Sequence, residues 1–243
     1  YNILYNMNNL ILVRHGQSQW NLERRFTGFY DIDLTKHGKS EAEYAGQLIK
    51  KLNIEFDSYF TSELKRAINS LKIILNVLNI KDVQINKAWE LNERNYGALT
   101  GLNKDEIIKK HGVKQVQIWR RSYDIPPPPM DSNHPYKNKI YSNIPKEKKS
   151  GSESLQDTFK RVVPYYEKKI KPLISKKKNI LIVFHGNSCR ALLKKIFKIS
   201  KEEIINFEIP TGNPLLITFE NNLKVKSYRY LDAVRAKKIL FNV

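Results

Sequence analysis

The chain has 243 residues and a formal net charge of +19, from 43 Lys+Arg against 24 Asp+Glu. A hydrophobic content of 41% supplies a buried core and excludes a disordered chain. No apolar run approaches the roughly 18 residues needed to cross a bilayer, and the lone Cys189 excludes an intramolecular disulfide and suits a reducing, cytoplasmic setting. Most of the lysines, such as Lys50, Lys51, Lys176, Lys177 and Lys178, sit at solvated helix positions. With no zinc-finger spacing and no basic-aromatic motif, nucleic acid is not an expected partner. Residues 1–6 precede Met7 without a basic region or a small-residue cleavage site, so no signal peptide is expected and Met7 is a candidate start.

In chain order, Leu10–Val13 is a short apolar run of the kind that forms a buried parallel strand. Thr35 is placed to cap a helix over 36–52, with Ala42, Ala45, Ile49 and Leu52 on one face. A strand is expected over 56–60. Ser62 then caps a helix striped by Leu64, Ile68, Leu71, Leu75 and Leu78. A weak strand follows at 83–85 and a helix at 102–110 that ends near Gly112. Residues 122–152 carry prolines at 126–129, 135 and 145, too many for a packed element, and read as a lid or binding loop. A helix over 153–170, an apolar strand over 179–184, helices from Ser188 and at 200–206, and strands at 215–219 and 224–230 complete the chain. The alternation predicts one α/β domain, a three-layer sandwich with a mostly parallel central sheet and helices on both faces. In such sheets ligands bind at the carboxyl ends of the strands.

Two of those strand ends carry histidine: Arg14-His15-Gly16 and His185-Gly186-Asn187. The dipeptide alone is weak, because His37 and His111 are also followed by glycine. Those two fall at helix ends and are expected at the surface. His15 and His185 are set apart by the apolar strand before each and the polar turn after it. Arginines accompany them: Arg14 beside His15, Arg66 in the first turn of the helix after Ser62, and the Arg120–Arg121 pair at the edge of the proline-rich segment. Guanidinium groups pair with phosphate oxygens in a planar fork. A histidine nucleophile with arginine clamps is what phosphoryl transfer requires, since that chemistry is mainly positioning and charge stabilisation. No Asp/His cluster has ligand spacing, so no metal is expected.

The segments Leu12–Asn21, Arg25–Gly28, Leu64–Ala67, Leu91–Gly97, Gly101–Lys104, Trp119–Arg121, His185–Ser188 and Ile209–Gly212 resemble, in order, those of the histidine phosphatase superfamily. The later ones resemble its cofactor-dependent phosphoglycerate mutases. The resemblance implies interconversion of 3-phosphoglycerate and 2-phosphoglycerate, primed by 2,3-bisphosphoglycerate without a metal. The alternative within the superfamily is a phosphatase of small phosphate esters. The resemblance makes His15 the nucleophile, His185 a stabiliser of the transferring group and Glu93 the acid–base. Glu90 is a rival carboxylate, but only Glu93 lies in the matching Asn-Glu-Arg segment. Arg14, Ser18, Asn21, Thr27, Gly28, Arg66, Arg94, Tyr96, Lys104, Arg120, Arg121, Gly186 and Asn187 are implied to bind phosphate or carboxylate, with a capping role open for Ser18. A homodimer or homotetramer is implied on the same ground. Two features depart from or stand apart within the pattern. Gln17 stands where many members have Glu, with a tuning effect on His15 expected, and the short basic tail over 232–243 has an open role.

Overall fold

The computed structural model describes residues 8–140, 144–145 and 148–236. Met7 and the end of the basic tail lie outside the described residues. Strands β1 (Asn8–Arg14), β2 (Ser58–Thr61), β3 (Ile85–Lys87), β4 (Ile180–Phe184), β5 (Leu215–Phe219) and β6 (Val225–Tyr230) form one sheet in the order β3-β2-β4-β1-β5-β6. The β3-β2-β4-β1 pairs are parallel, and only β5 runs against the rest. The mostly parallel sheet is therefore present.

Helices α1 (Gln19–Leu22), α2 (Lys36–Lys50), α3 (Lys65–Val77), α4 (Lys104–Arg121), α5 (Lys137–Ile140), α6 (Leu155–Tyr165), α7 (Lys171–Ser175) and α8 (Gly186–Ile196) surround it. Side chains alternate across a strand, and the two cores divide by parity. Ile11, Val13, Leu181 and Val183 share one core with Ala45 and Ile49 of α2 and Leu71 and Ile74 of α3. Leu10, Leu12, Ile180, Ile182 and Phe184 share the other with Val162 of α6 and Leu192 of α8. Burying each such side chain contributes about 1.5–3 kcal/mol before entropy is counted.

Several elements differ from expectation. Helix α4 runs past Gly112 to Arg121, because Gly112 takes a left-handed φ of 81° and kinks the helix without ending it. The helix resumes because Val116 and Trp119 pack on Phe26 and Leu99. The long helix after residue 153 is α6, a π-helical turn (Tyr166–Ile170) and α7. Pro164, which has no N–H to donate, precedes the widened turn. The 122–152 segment is not free of packed elements. It contains α5, and Met130, Ile140 and Ile144 are buried against Phe29.

Two glycines fix the start of the functional loop. A Cβ on Gly16 would lie 2.0 Å from the Gly38 carbonyl oxygen, and one on Gly38 would lie 2.0 Å from the Gln17 carbonyl oxygen. The loop after β1 and the first turn of α2 meet backbone to backbone, so neither position admits a side chain. His37 is exposed, as expected, but the glycine after it is structural.

Candidate active site

The register of the sheet places the two histidines side by side. Arg14 pairs with Phe184 in the parallel β1–β4 ladder, so His15 and His185 are the next residues out on neighbouring strands. Their rings are 4.9 Å apart, centroid to centroid, and nearly edge to face. His15 is 2% exposed and His185 is fully buried.

Their partners assign the protons. His15 Nδ1 lies 2.6 Å from the Gly16 carbonyl oxygen, which only accepts, so Nδ1 carries the hydrogen and Nε2 presents a lone pair. His185 Nε2 lies 2.7 Å from Ser62 Oγ. That hydroxyl accepts the Leu64 N–H and donates its own hydrogen to Nε2, so a neutral His185 carries its one hydrogen on Nδ1, a donor with no partner among the described residues. Ser62 is thus not the helix cap that its position suggested. Leu64 occupies that place, and the Ser62 hydroxyl orients His185.

Burial, then the charges of Arg66 and Arg14, hold the His15 pKa well below 6.5. Burial and Arg66, with His15 next, do the same to His185. Both rings are neutral at neutral pH. The sign of the stability effect follows. The unfolded chain takes up these protons near pH 6.5 while the folded chain refuses them. Their contribution is fully present above pH 6.5 and is lost as the pH falls from there toward the depressed values. Ring-proton NMR is expected to show both histidines titrating well below 6.5, with the denaturant midpoint falling between pH 7 and pH 5. Titration of either ring near 6.5 would refute the burial argument.

One cleft of about 600 Å³ gathers most of the sequence-assigned residues: Arg14, His15, Asn21, Thr27, Gly28, Arg66, Glu93, Tyr96, Lys104, Arg120, Arg121, Gly186 and Asn187. Arg66, 1% exposed, donates to the carbonyls of Tyr30 and Gly28, both at 2.8 Å. Burial lowers it to about 10, so it stays charged. Arg14 donates to the Ile209 carbonyl at 2.7 Å, and its Nε is buried without a partner among the described residues. Around Tyr96 lies a second cationic group. Burial raises its hydroxyl most, but the charge and hydrogen bond of Arg94, whose guanidinium is 4.7 Å from the ring centre, together with the charge of Arg120 outweigh this and the net value is about 8. Burial lowers both Lys104 and Arg120, and Tyr96 opposes this in each.

Glu93 follows a 3-10 turn (Trp89–Leu91) and belongs to no helix or strand. Its Oε1 accepts from the backbone N–H groups of Arg94 (2.8 Å) and Asn187 (3.1 Å). The second of these is in the first turn of α8, whose dipole favours an anion. Asn187 also donates from Nδ2 to the Tyr96 hydroxyl at 3.4 Å.

Ser18, Arg94 and His185 are not among the residues lining the cleft, and the His185 ring lies against His15, which does line it. The Ser18 hydroxyl caps α1 by accepting the Asn21 N–H. The side-chain oxygen of Gln17 accepts from the Thr35 hydroxyl at 3.0 Å. Sequence reasoning missed Arg190, which lines the cleft, donates to Asn187 Oδ1 at 2.9 Å and is lowered by burial to about 9. Its place one helical turn after Asn187 was the available signal. In the tail, Val234 and Arg235 line the cleft, and Arg235 reaches Glu41 at 3.3 Å. Among the described residues no cluster of His, Cys, Asp or Glu could hold a metal ion, and no helix is long and apolar enough to cross a membrane.

The sequence profile of the histidine phosphatase superfamily, branch 1, matches residues 10–142 and 130–228. The chain belongs to that superfamily. Among curated relatives, the 2,3-bisphosphoglycerate-dependent phosphoglycerate mutase of Pelagibacter ubique (strain HTCC1062) is 51% identical over 96% of this chain and 99% of its own length. That of Hydrogenobaculum sp. (strain Y04AAS1) is 47% identical over 98% of each. Solved structures share the fold at lower identity. Mycobacterial glucosyl-3-phosphoglycerate phosphatase gives a TM-score of 0.68 at 17% identity, over 92% of this chain and 97% of its own. Bacillus stearothermophilus YhfR gives 0.67 at 20%, over 91% and 94%.

Proposed function

We propose that this histidine phosphatase interconverts 3-phosphoglycerate and 2-phosphoglycerate through a phosphohistidine on His15. The observation that carries the reading is a neutral His15, paired with His185, on a cleft that gathers two groups of cations. Arg14 and Arg66 serve the histidines, and Lys104 and Arg120 lie around Tyr96. A substrate with two anionic groups suits such a site, and the full-length relatives carry the matching activity in their names. Buried donors without partners among the described residues, Arg14 Nε, Thr27 Oγ1, His185 Nδ1 and Arg190 Nε, fit a bound anion.

When bound, 2,3-bisphosphoglycerate supplies the first phosphoryl group. His15 Nε2 uses its lone pair to form the P–N bond as the ester P–O bond breaks. Arg14, Arg66 and the His185 Nδ1–H neutralise charge on the phosphoryl oxygens. Glu93 gives a proton to the departing alkoxide and takes one from the hydroxyl that attacks in the return step. The 122–152 segment acts as a lid. Its carbonyl at Pro128 accepts the Ala98 N–H at 2.9 Å, beside the Tyr96 end of the cleft. Excluding water there separates a mutase from a phosphatase. A homodimer or homotetramer belongs to the same reading and rests on the family resemblance, while the single domain rests on the alternating elements and the cytoplasmic location on the lone Cys189.

The test is to equilibrate 3-phosphoglycerate with the protein and trace 2,3-bisphosphoglycerate, without added metal. Formation of 2-phosphoglycerate is expected to outrun phosphate release. Phosphate release in excess would favour the phosphatase alternative.

A further inference from the structure

We propose that Arg161 and Glu153 are positioning residues for the acid–base carboxylate, a buried ion pair behind the cleft that fixes the 90–95 loop and so the reach of Glu93. The inference rests on the assignment of Glu93 above. Arg161 projects from α6, and both side chains are 7% exposed. All five guanidinium N–H groups are used. Nε and Nη2 donate to the two oxygens of Glu153, each at 2.8 Å. Nη1 donates to the carbonyls of Glu90 (2.6 Å) and Asn92 (2.9 Å), and Nη2 also donates to that of Glu93 (2.9 Å). Glu153 completes the clasp. Its Oε2 accepts the Asn95 N–H at 2.9 Å, and its own N–H donates to the Asn95 carbonyl at 2.9 Å.

The loop has no ladder of its own to hold it. The pair supplies one, gripping the backbone at Glu90, Asn92, Glu93 and Asn95. On the far side, the Glu93 carboxylate meets the first turn of α8 through Asn187. The carboxylate is thereby set between two fixed bodies. Stability alone gives little reason for the pair, since a buried ion pair is often no better than well-packed apolar residues in its place. Geometry gives a better one. Only a planar fork with five donors reaches three carbonyls and a carboxylate at once, and a lysine ammonium cannot. Arg161 does not line the cleft, so it acts through the loop. The Asn95 side chain also donates to the Ser150 carbonyl at 2.9 Å, which joins the returning end of the proline-rich segment to the same clasp.

The experiment separates proton donation from the rest of the reaction by the leaving group. Transfer from 2,3-bisphosphoglycerate to His15 breaks a P–O bond to an alkoxide, which needs the Glu93 proton. Transfer from acetyl phosphate breaks a P–O bond to acetate, which leaves without one. His15 labelling is followed by intact mass with each donor for Arg161→Lys, for the charge-free pair Arg161→Met with Glu153→Leu, and for Glu93→Gln.

Labelling of Arg161→Lys from 2,3-bisphosphoglycerate is expected to slow roughly 100-fold, the size of effect that a misplacement near 1 Å produces. Labelling from acetyl phosphate is expected to stay near that of the unsubstituted chain. Equal loss with both donors, or loss with neither, would overturn the positioning role. If Arg161→Lys does not fold, the charge-free pair is read by the same criteria. Glu93→Gln keeps the two readings apart. If it shows no difference between donors, the acid–base assignment itself fails. If it shows the difference and the Arg161 variants do not, only the present inference fails.

Discussion

His15→Ala is expected to abolish exchange between 3-phosphoglycerate and 2-phosphoglycerate, by on the order of 10⁴-fold or more, as removal of a nucleophile does elsewhere. No neighbour is placed to take over. The Ser18 hydroxyl is committed to capping α1. His185 Nε2 is engaged by Ser62. Cys189 is 1% exposed, and burial pushes its thiol far above the usual range, so no thiolate forms. The fold should survive. The change removes one buried hydrogen bond, to the Gly16 carbonyl, worth about 1 kcal/mol. It also removes one of the two buried rings that penalise the folded state in acid, so acid sensitivity should diminish. A coupled assay measures the exchange, and intact mass after incubation with 2,3-bisphosphoglycerate measures the adduct. An adduct of phosphate mass on His15→Ala would place the nucleophile elsewhere.

The sheet and the histidines were legible because each depended on a continuous local pattern. The apolar runs at Leu10–Val13 and Ile180–Phe184 are strands that alternate between two cores, and each histidine follows its strand directly. Residues that work across the fold were hidden. Ser62 lies where a helix cap belongs, and only the β2–β4 register, with Thr61 opposite Val183, brings it to His185. Arg161 looks like one more basic residue on an amphipathic helix, and its five acceptors come from two separate segments, the 90–93 loop and Glu153. The role of Gly38 was hidden because the backbone it meets, that of Gln17, is 21 residues away in sequence. In the 122–152 segment, isolated apolar residues among prolines showed no period, yet Met130, Ile140 and Ile144 find Phe29. Loops packed by single side chains leave no repeat to read.

Arg66→Met is expected to lower kcat/KM by on the order of 10³-fold, the range for removing a preorganised charge from a phosphoryl-transfer site. The methionine keeps much of the stem and loses the fork. Two consequences can be separated. The first is direct: the guanidinium is buried, charged and held by the Gly28 and Tyr30 carbonyls, so it stabilises phosphoryl oxygens at no cost of reorganisation. The second acts through the histidines. Arg66 is the largest charge depressing both rings after burial itself. Without it, both accept protons more readily, and their titrations move up toward 6.5. His15 Nε2 is then lost as a nucleophile at a higher pH than in the unsubstituted chain. The acid limb of the kcat/KM profile should therefore shift upward, on top of a loss at every pH. The two orphaned carbonyls would each cost about 1–3 kcal/mol if left unpaired, so a lower denaturant midpoint should accompany the kinetic effect. Steady-state kinetics against pH, with ring-proton NMR on the same variant, measure both. A loss below tenfold at neutral pH, with unmoved histidine titrations, would show that Arg66 serves the Gly28–Tyr30 turn and not the transferring group.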